Sequence, residues 1–103
     1  MTQVSVSKRC GTYTVRLDGH AGYAAAGQDV VCAGISTLAF TLIRALEDMK
    51  IHVDKRVMDQ AAGTIEVSFP AGKRTEPVLS TILSGFEMMR QQYPKHIQIG
   101  WAK

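Results

Sequence analysis

Two side chains capable of covalent chemistry stand twelve positions apart in the first third of the chain. His20 lies in Gly19-His20-Ala21-Gly22-Tyr23, and Cys32 lies in Asp29-Val30-Val31-Cys32-Ala33-Gly34-Ile35-Ser36. A thiol and an imidazole are the two halves of a nucleophilic dyad, in which the base takes the thiol proton and the thiolate attacks an electrophilic carbon. Asp29 is a short carboxylate suited to cap a helix, and with Asp29 at the N-cap, Cys32 is the third residue of the first turn. Backbone N–H groups there lack helical partners, and the positive end of the helix dipole favours a thiolate over a thiol. Against this stands a plainer reading: a single cysteine near a helix start is commonly a small core hydrophobe, and a single histidine in a glycine loop a bystander. On residue types alone both stay open.

Rival chemistries fit less well. Gly19, Gly22 and Gly27 do not form the G-x-G-x-x-G of a dinucleotide loop, and no Gly-Lys-Ser/Thr follows as in a phosphate loop. His20, Cys32, Cys10, His52 and His96 contain no close pair of the C-x-x-C or H-x-x-x-H kind, so no metal and no other cofactor is expected. Cys10 and Cys32 are expected as free thiols, since a cytoplasmic setting and an ordinary core argue against a structural disulfide; a thiol redox protein using both would need their Cα atoms about 4.4 to 6.8 Å apart.

The elements that must position these groups follow from periodicity. Residues 2–8 alternate with Val4 and Val6 on one face, and residues 12–18 repeat the pattern through Tyr13, Val15 and Leu17. This predicts two strands joined by a hairpin at Arg9-Cys10-Gly11. Residues 19–28 hold three glycines and four alanines without a period and read as a loop. Gly22, Tyr23 and Gly27 suit that loop to act as a lid: glycines permit backbone change, and small alanines leave room for an extended peptide. Tyr23 either offers a flat apolar wall or ties the loop to its own domain. A helix follows Asp29, with Ile35, Leu38, Leu42, Leu46 and Met49 as its core stripe. Gly34 inside it costs about 1 kcal/mol relative to Ala and suggests the close approach of another backbone or a peptide.

Ile51 and Val53, then Ile65, Val67 and Phe69, predict two further strands around a turn at residues 59–63. Thr75-Glu76-Pro77 opens a second helix with Thr75 as its cap; Ile82, Phe86, Met89 and Tyr93 line its apolar face, and Pro94 stops it. Ile97, Ile99 and Trp101 form a closing strand. The order β-β-α-β-β-α-β predicts one α+β domain over residues 1–103: two layers, a mainly antiparallel sheet and two helices on one face.

At 103 residues, 46% hydrophobic and 20% charged, the chain is sized for one core and is not composed like a disordered or disulfide-scaffold protein. Its longest strongly apolar run, residues 35–43, is broken by Ser36, Thr37 and Thr41 and falls short of the ~20 residues of a membrane span. The amino terminus shows no secretory pattern. The expectation is a cytoplasmic protein without a membrane partner. The net charge of +3 arises after residue 49, where eight basic residues face five acidic ones, singly or as the pairs Lys55-Arg56 and Lys73-Arg74. Such scattering reads as solvated surface, and direct nucleic-acid binding is not expected.

The stretch His20-Ala21-Gly22-Tyr23-Ala24, followed by Gly27, Asp29, Val31-Cys32-Ala33 and Ser36, resembles the signature of Prp, the ribosomal-processing cysteine protease family. Length and element order agree over essentially the whole chain. The resemblance implies a cysteine endopeptidase that removes the N-terminal extension of a large-subunit ribosomal protein, cutting after an aromatic residue. Cys32 would be its nucleophile and His20 its general base. Gly19, Asp29 and Ser36 match further motif positions. Asp29 would serve as the helix cap or as the group orienting His20; Ser36, one turn beyond Cys32, would reach the site or face its own turn. The resemblance also implies a homodimer and a glycine loop that acts as a mobile cover. Ala25 and Ala26 stand where many members carry acidic or aromatic residues, which bears on substrate preference or lid ordering. The alternative, drawn from the basic second half, is a non-catalytic ribosome-associated binding module whose RNA binding is salt-sensitive and indifferent to Cys32.

Overall fold

Cys10 and Gly11 both adopt left-handed backbone, with φ of 50° and 75°. They form a two-residue turn between the paired Arg9 and Thr12, whose twist matches that of the strands it joins. The computed structural model describes residues 1–25 and 27–102; Ala26, singled out above, lies outside the described residues. The elements are β1 (Thr2–Arg9), β2 (Thr12–Asp18), α1 (Val30–Asp48), β3 (Lys55–Asp59), β4 (Thr64–Pro70), α2 (Glu76–Gln92) and β5 (Ile97–Ala102). The expected order is therefore observed.

The sheet runs β3-β4-β2-β1-β5. Its first four strands pair antiparallel, while β5 lies parallel to β1, so the sheet is mixed. The parallel pair is possible because β5 enters through α2, a connection long enough to reverse the direction a hairpin would impose. The register Val6 to Val15 to Val67 places Val4, Val6, Val15, Leu17, Val67, Phe69 and Ile97 in the core. Ser5, Ser7, Thr14, Arg16 and Glu66 alternate onto the other face. Both helices join the apolar face in one cluster, α1 through Val31, Ile35, Leu42 and Leu46, α2 through Leu79, Ile82 and Phe86. Full burial of each Leu, Ile or Phe contributes roughly 1.5–3 kcal/mol.

The two helices approach closely at reciprocal glycines. A Cβ on Gly85 would meet Leu38 Cδ2 at 2.5 Å, and one on Gly34 would meet Met89 Cε at 2.8 Å. Gly34 thus admits a side chain of α2, not a peptide. Three other expectations need correction. Ile51 and Val53 precede β3; they pack half-buried on the core, and the Ile51 N–H donates to Leu46 O beyond the end of α1. Thr75 begins α2 without a side-chain cap, because its hydroxyl donates back to Pro70 O at 2.7 Å. Finally, α1 is long and apolar enough to cross a bilayer by length and composition, although the broken run 35–43 is not. Here its apolar stripe covers the sheet.

Candidate active site

Asp29 stands before α1 in extended backbone, and its Oδ1 accepts the Cys32 N–H at 2.9 Å, the cap expected from sequence. Its other oxygen has a task no local pattern discloses. Oδ2 accepts the N–H groups of Tyr23 at 2.9 Å and Ala24 at 3.2 Å, so one carboxylate clips the glycine loop to the first turn of the helix. Burial alone would push this carboxyl up; the N–H groups of Cys32, Ala24 and Tyr23 outweigh it and hold Asp29 below the usual aspartate range. Asp29 makes no hydrogen bond to His20, and the group that does is found elsewhere.

Cys32 is half-buried against the core, and its Sγ accepts the Ala21 N–H at 3.2 Å. His20 leaves the end of β2 through Gly19. The φ of Gly19 is +87°, and a Cβ there would lie 2.9 Å from Met1 O. With the Thr2 hydroxyl donating to Gly19 O at 3.0 Å, this residue turns the chain past the start of β1 and presents the imidazole. The exposed ring places Nε2 3.3 Å from Ala61 O. A carbonyl only accepts, so Nε2 carries the hydrogen and the neutral ring keeps its lone pair on Nδ1. Gly63 completes this cradle, since a Cβ at its φ of +68° would come within 3.1 Å of His20 Cε1 and Nε2. The turn at residues 59–63 was legible in sequence, but its contact with His20 was not.

Cys32 and His20 line one cavity of about 190 Å³ together with Gly19 and Ser36. Its apolar wall is built by Leu17, Ile35, Phe40, Met58 and Ile65, of which Phe40 and Met58 are 42% and 41% exposed. A second concavity on the loop side again includes His20, Cys32 and Ser36, and adds Gly22, Ala24, Gly27 and Asp29. Sequence-predicted residues of the one stretch 19–36 therefore meet, with the sulfur and imidazole bordering both hollows. Their hydrogen bonds go to Ala21 and Ala61, not to each other.

Tyr23 turns away from both hollows' linings. Its ring meets Tyr93 and His96 edge-on at centroid distances of 5.5 and 5.4 Å, which anchors the loop beyond the end of α2. His96 Nδ1 donates to Ala21 O at 3.1 Å, so one peptide segment is held from both sides, by His96 and by the sulfur. From sequence Tyr93 reads only as part of the apolar face of the second helix and His96 only as a residue weighed for metal binding; nothing there ties either to the loop. Cys10 sits exposed at the hairpin tip and Cys32 at the start of α1, and both are free thiols. Among the described residues no group of three or more His, Cys, Asp or Glu side chains is placed to hold a metal ion. A sulfur at a helix start, an imidazole on the same cavity and an apolar wall can together attack a carbonyl carbon in a peptide laid across them.

Comparison with known proteins bears on the family and the fold. The family model described as cysteine protease Prp matches residues 1–98. The fold is similar to that of the essential ribosomal processing protease Prp from S. aureus in complex with a covalently linked product peptide. The TM-score is 0.88 at 23% identity, covering 99% of this chain and 100% of that one. The same protease with a substrate peptide aligns at TM-score 0.79 and 22% identity, with coverage of 99% and 100%. SMU.848 from Streptococcus mutans aligns at TM-score 0.78 and 26% identity, over 98% of this chain and 93% of that one. None of the curated proteins compared with the chain matches it.

Proposed function

Since the chain belongs to the cysteine protease Prp family, we propose that it is a cytoplasmic endopeptidase that removes the N-terminal extension of a large-subunit ribosomal protein, with Cys32 as nucleophile and His20 as acid–base partner. The observation that carries this reading is the meeting of Cys32 and His20 on one cavity at the start of α1, beside an apolar wall. The S. aureus protease of the same fold, described as a ribosomal processing enzyme with substrate and product peptides, supports the substrate class.

In the first step Cys32 Sγ attacks the scissile carbonyl carbon, the C–S bond forms, and the C–N bond breaks as the His20 imidazolium gives its proton to the departing amine. Neutral His20 then takes a proton from water, whose oxygen attacks the thioester; the C–S bond breaks, releasing the carboxylic acid product and the thiolate. With Nε2–H held by Ala61 O, Nδ1 is the nitrogen that exchanges these protons. The aromatic side chain before the cut enters the wall formed by Leu17, Phe40 and Met58. Gly19 and Ser36 border the reacting carbon, and the loop carrying Gly22, Tyr23 and Gly27 covers the peptide. The Cys32 N–H is taken by Asp29, so the developing oxyanion draws on other donors. No metal or other cofactor takes part, and the working unit is a homodimer, as the family resemblance implies.

Incubation with the extended ribosomal protein should yield one shortened product by mass, and Cys32→Ala or His20→Ala should abolish it. Cutting that persists in both variants removes the dyad. Sedimentation at micromolar concentration reads the assembly, and a monomer there refutes the dimer.

A further inference from the structure

The fold sorts the cations of this chain into two classes. Arg16, Arg44, Lys55, Arg56 and Arg90 each face a carboxylate. Among the described residues, Lys8, Arg9, Lys50, Lys73, Arg74 and Lys95 form no such pair. All but Lys95 come from three segments that the tertiary structure brings side by side. Gly11 O accepts the Ala71 N–H at 2.8 Å, which seats the β1–β2 hairpin, with Lys8 and Arg9, beside the loop of Lys73 and Arg74. Arg74 Nη2 in turn donates to Met49 O at 3.0 Å, which seats that loop beside the end of α1, where Lys50 follows. Lys8 Nζ also lies 5.8 Å from the Tyr13 ring centroid.

This basic end lies away from the site. Helix α1 runs from one to the other, and its 19 residues span about 28 Å at roughly 1.5 Å each. The molecule is 37 Å long. Asp18, Asp29 and Asp59 gather at the opposite, site-bearing end, where the first two bracket the His20 loop and Asp59 closes β3. Near the basic end Asp48 is occupied by Arg44 and Glu47 by Arg56, while Glu76, in the first turn of α2, and Asp54, which meets only His52, are left without a lysine or arginine partner among the described residues.

We propose that this end is a docking surface for RNA, with Lys8, Arg9, Lys50, Lys73 and Arg74 contacting backbone phosphates. Lysines and arginines spread over three segments suit a ligand that repeats its charge along its length. A membrane surface is the poorer partner, because Phe40 and Met88 lie elsewhere, and Trp101, opposite Val6 on β5 beside this end, is a single exposed ring, enough to stack on a base but not an apolar face that would enter a bilayer. The sequence spreads these residues from position 8 to position 74, and for that reason they read as scattered cations and pairs rather than as one patch. The inference stands apart from the peptidase reading, because it needs neither Cys32 nor His20.

The test is fluorescence anisotropy with a labelled 20-nucleotide single-stranded RNA over a salt series. Five phosphate contacts predict a slope of log K against log salt near −3.5, at about −0.7 per contact. Arg9→Glu with Lys73→Glu should bring the slope to about −2.1, lower affinity at least tenfold at low salt, and leave the melting temperature and peptide cleavage unchanged. Lys95→Glu, which alters an unpaired cation outside this end, should bind as the parent does. Absence of binding at low salt, an unchanged slope in the double variant, an equal loss in Lys95→Glu, or binding to phosphatidylserine vesicles but not RNA would each overturn the proposal.

Discussion

Replacing Asp29 by Asn and by Ala separates the two tasks of its carboxylate. Ala removes the cap on the Cys32 N–H, which costs about 1 kcal/mol in typical helices, and also removes the clip on Tyr23 and Ala24. For a domain of this size that single kcal/mol lowers the melting temperature by about 4–8 °C. Asn caps about as well as Asp, so it should keep most of that stability. Its second group is an amide NH₂ set against two N–H donors, however, and two hydrogen bonds of about 1 kcal/mol each are lost. A loss of about 2 kcal/mol reduces the clipped loop population about 30-fold relative to the released one.

The expected result is a kcat/KM reduced about 10- to 30-fold in both variants on an extended ribosomal-protein peptide, with a melting temperature lowered in both and lowered further in Asp29→Ala, which also loses the cap. The pH dependence has a definite sign. The folded carboxyl is held below its unfolded value, so its stabilisation is complete above about pH 4 and is lost as pH falls through the lower folded value. The stability gap between parent and Asp29→Asn should therefore narrow below pH 4. Wild-type kcat/KM in Asp29→Asn, or a gap that widens with acid, would refute the clip.

Gly63→Ala forces a Cβ against the His20 ring at left-handed φ and should cost about 1–2 kcal/mol in urea unfolding while lowering kcat. Phe40→Ala opens the apolar wall of the cavity and should raise KM for a peptide with an aromatic residue before the cut, with little change in melting temperature, because Phe40 is 42% exposed. Phe86→Ala empties a fully buried position shared by α2 and the sheet and should lose about 3–5 kcal/mol by urea titration, a large share of the stability of a domain this size.

Sequence by itself determined the features that depend on near neighbours. The turn at Cys10 and Gly11, the alternation of β1 and β2, the cap at Asp29 and the place of Cys32 in the first turn all follow from backbone geometry within a few residues. The ordered residues from His20 to Ser36 likewise disclosed the family, because they lie in one segment. Contacts between distant segments were decided only by tertiary structure. His20 meets Ala61 across 41 positions and Ala21 meets His96 across 75, so neither the carbonyl that orients the imidazole nor the ring that steadies its loop is a local property. The parallel β1–β5 pair and the gathered cations belong to the same class. Periodicity records which face of an element is buried, whereas the neighbour it meets depends on how the sheet orders its strands, and that order minimises exposed apolar surface over the whole chain at once.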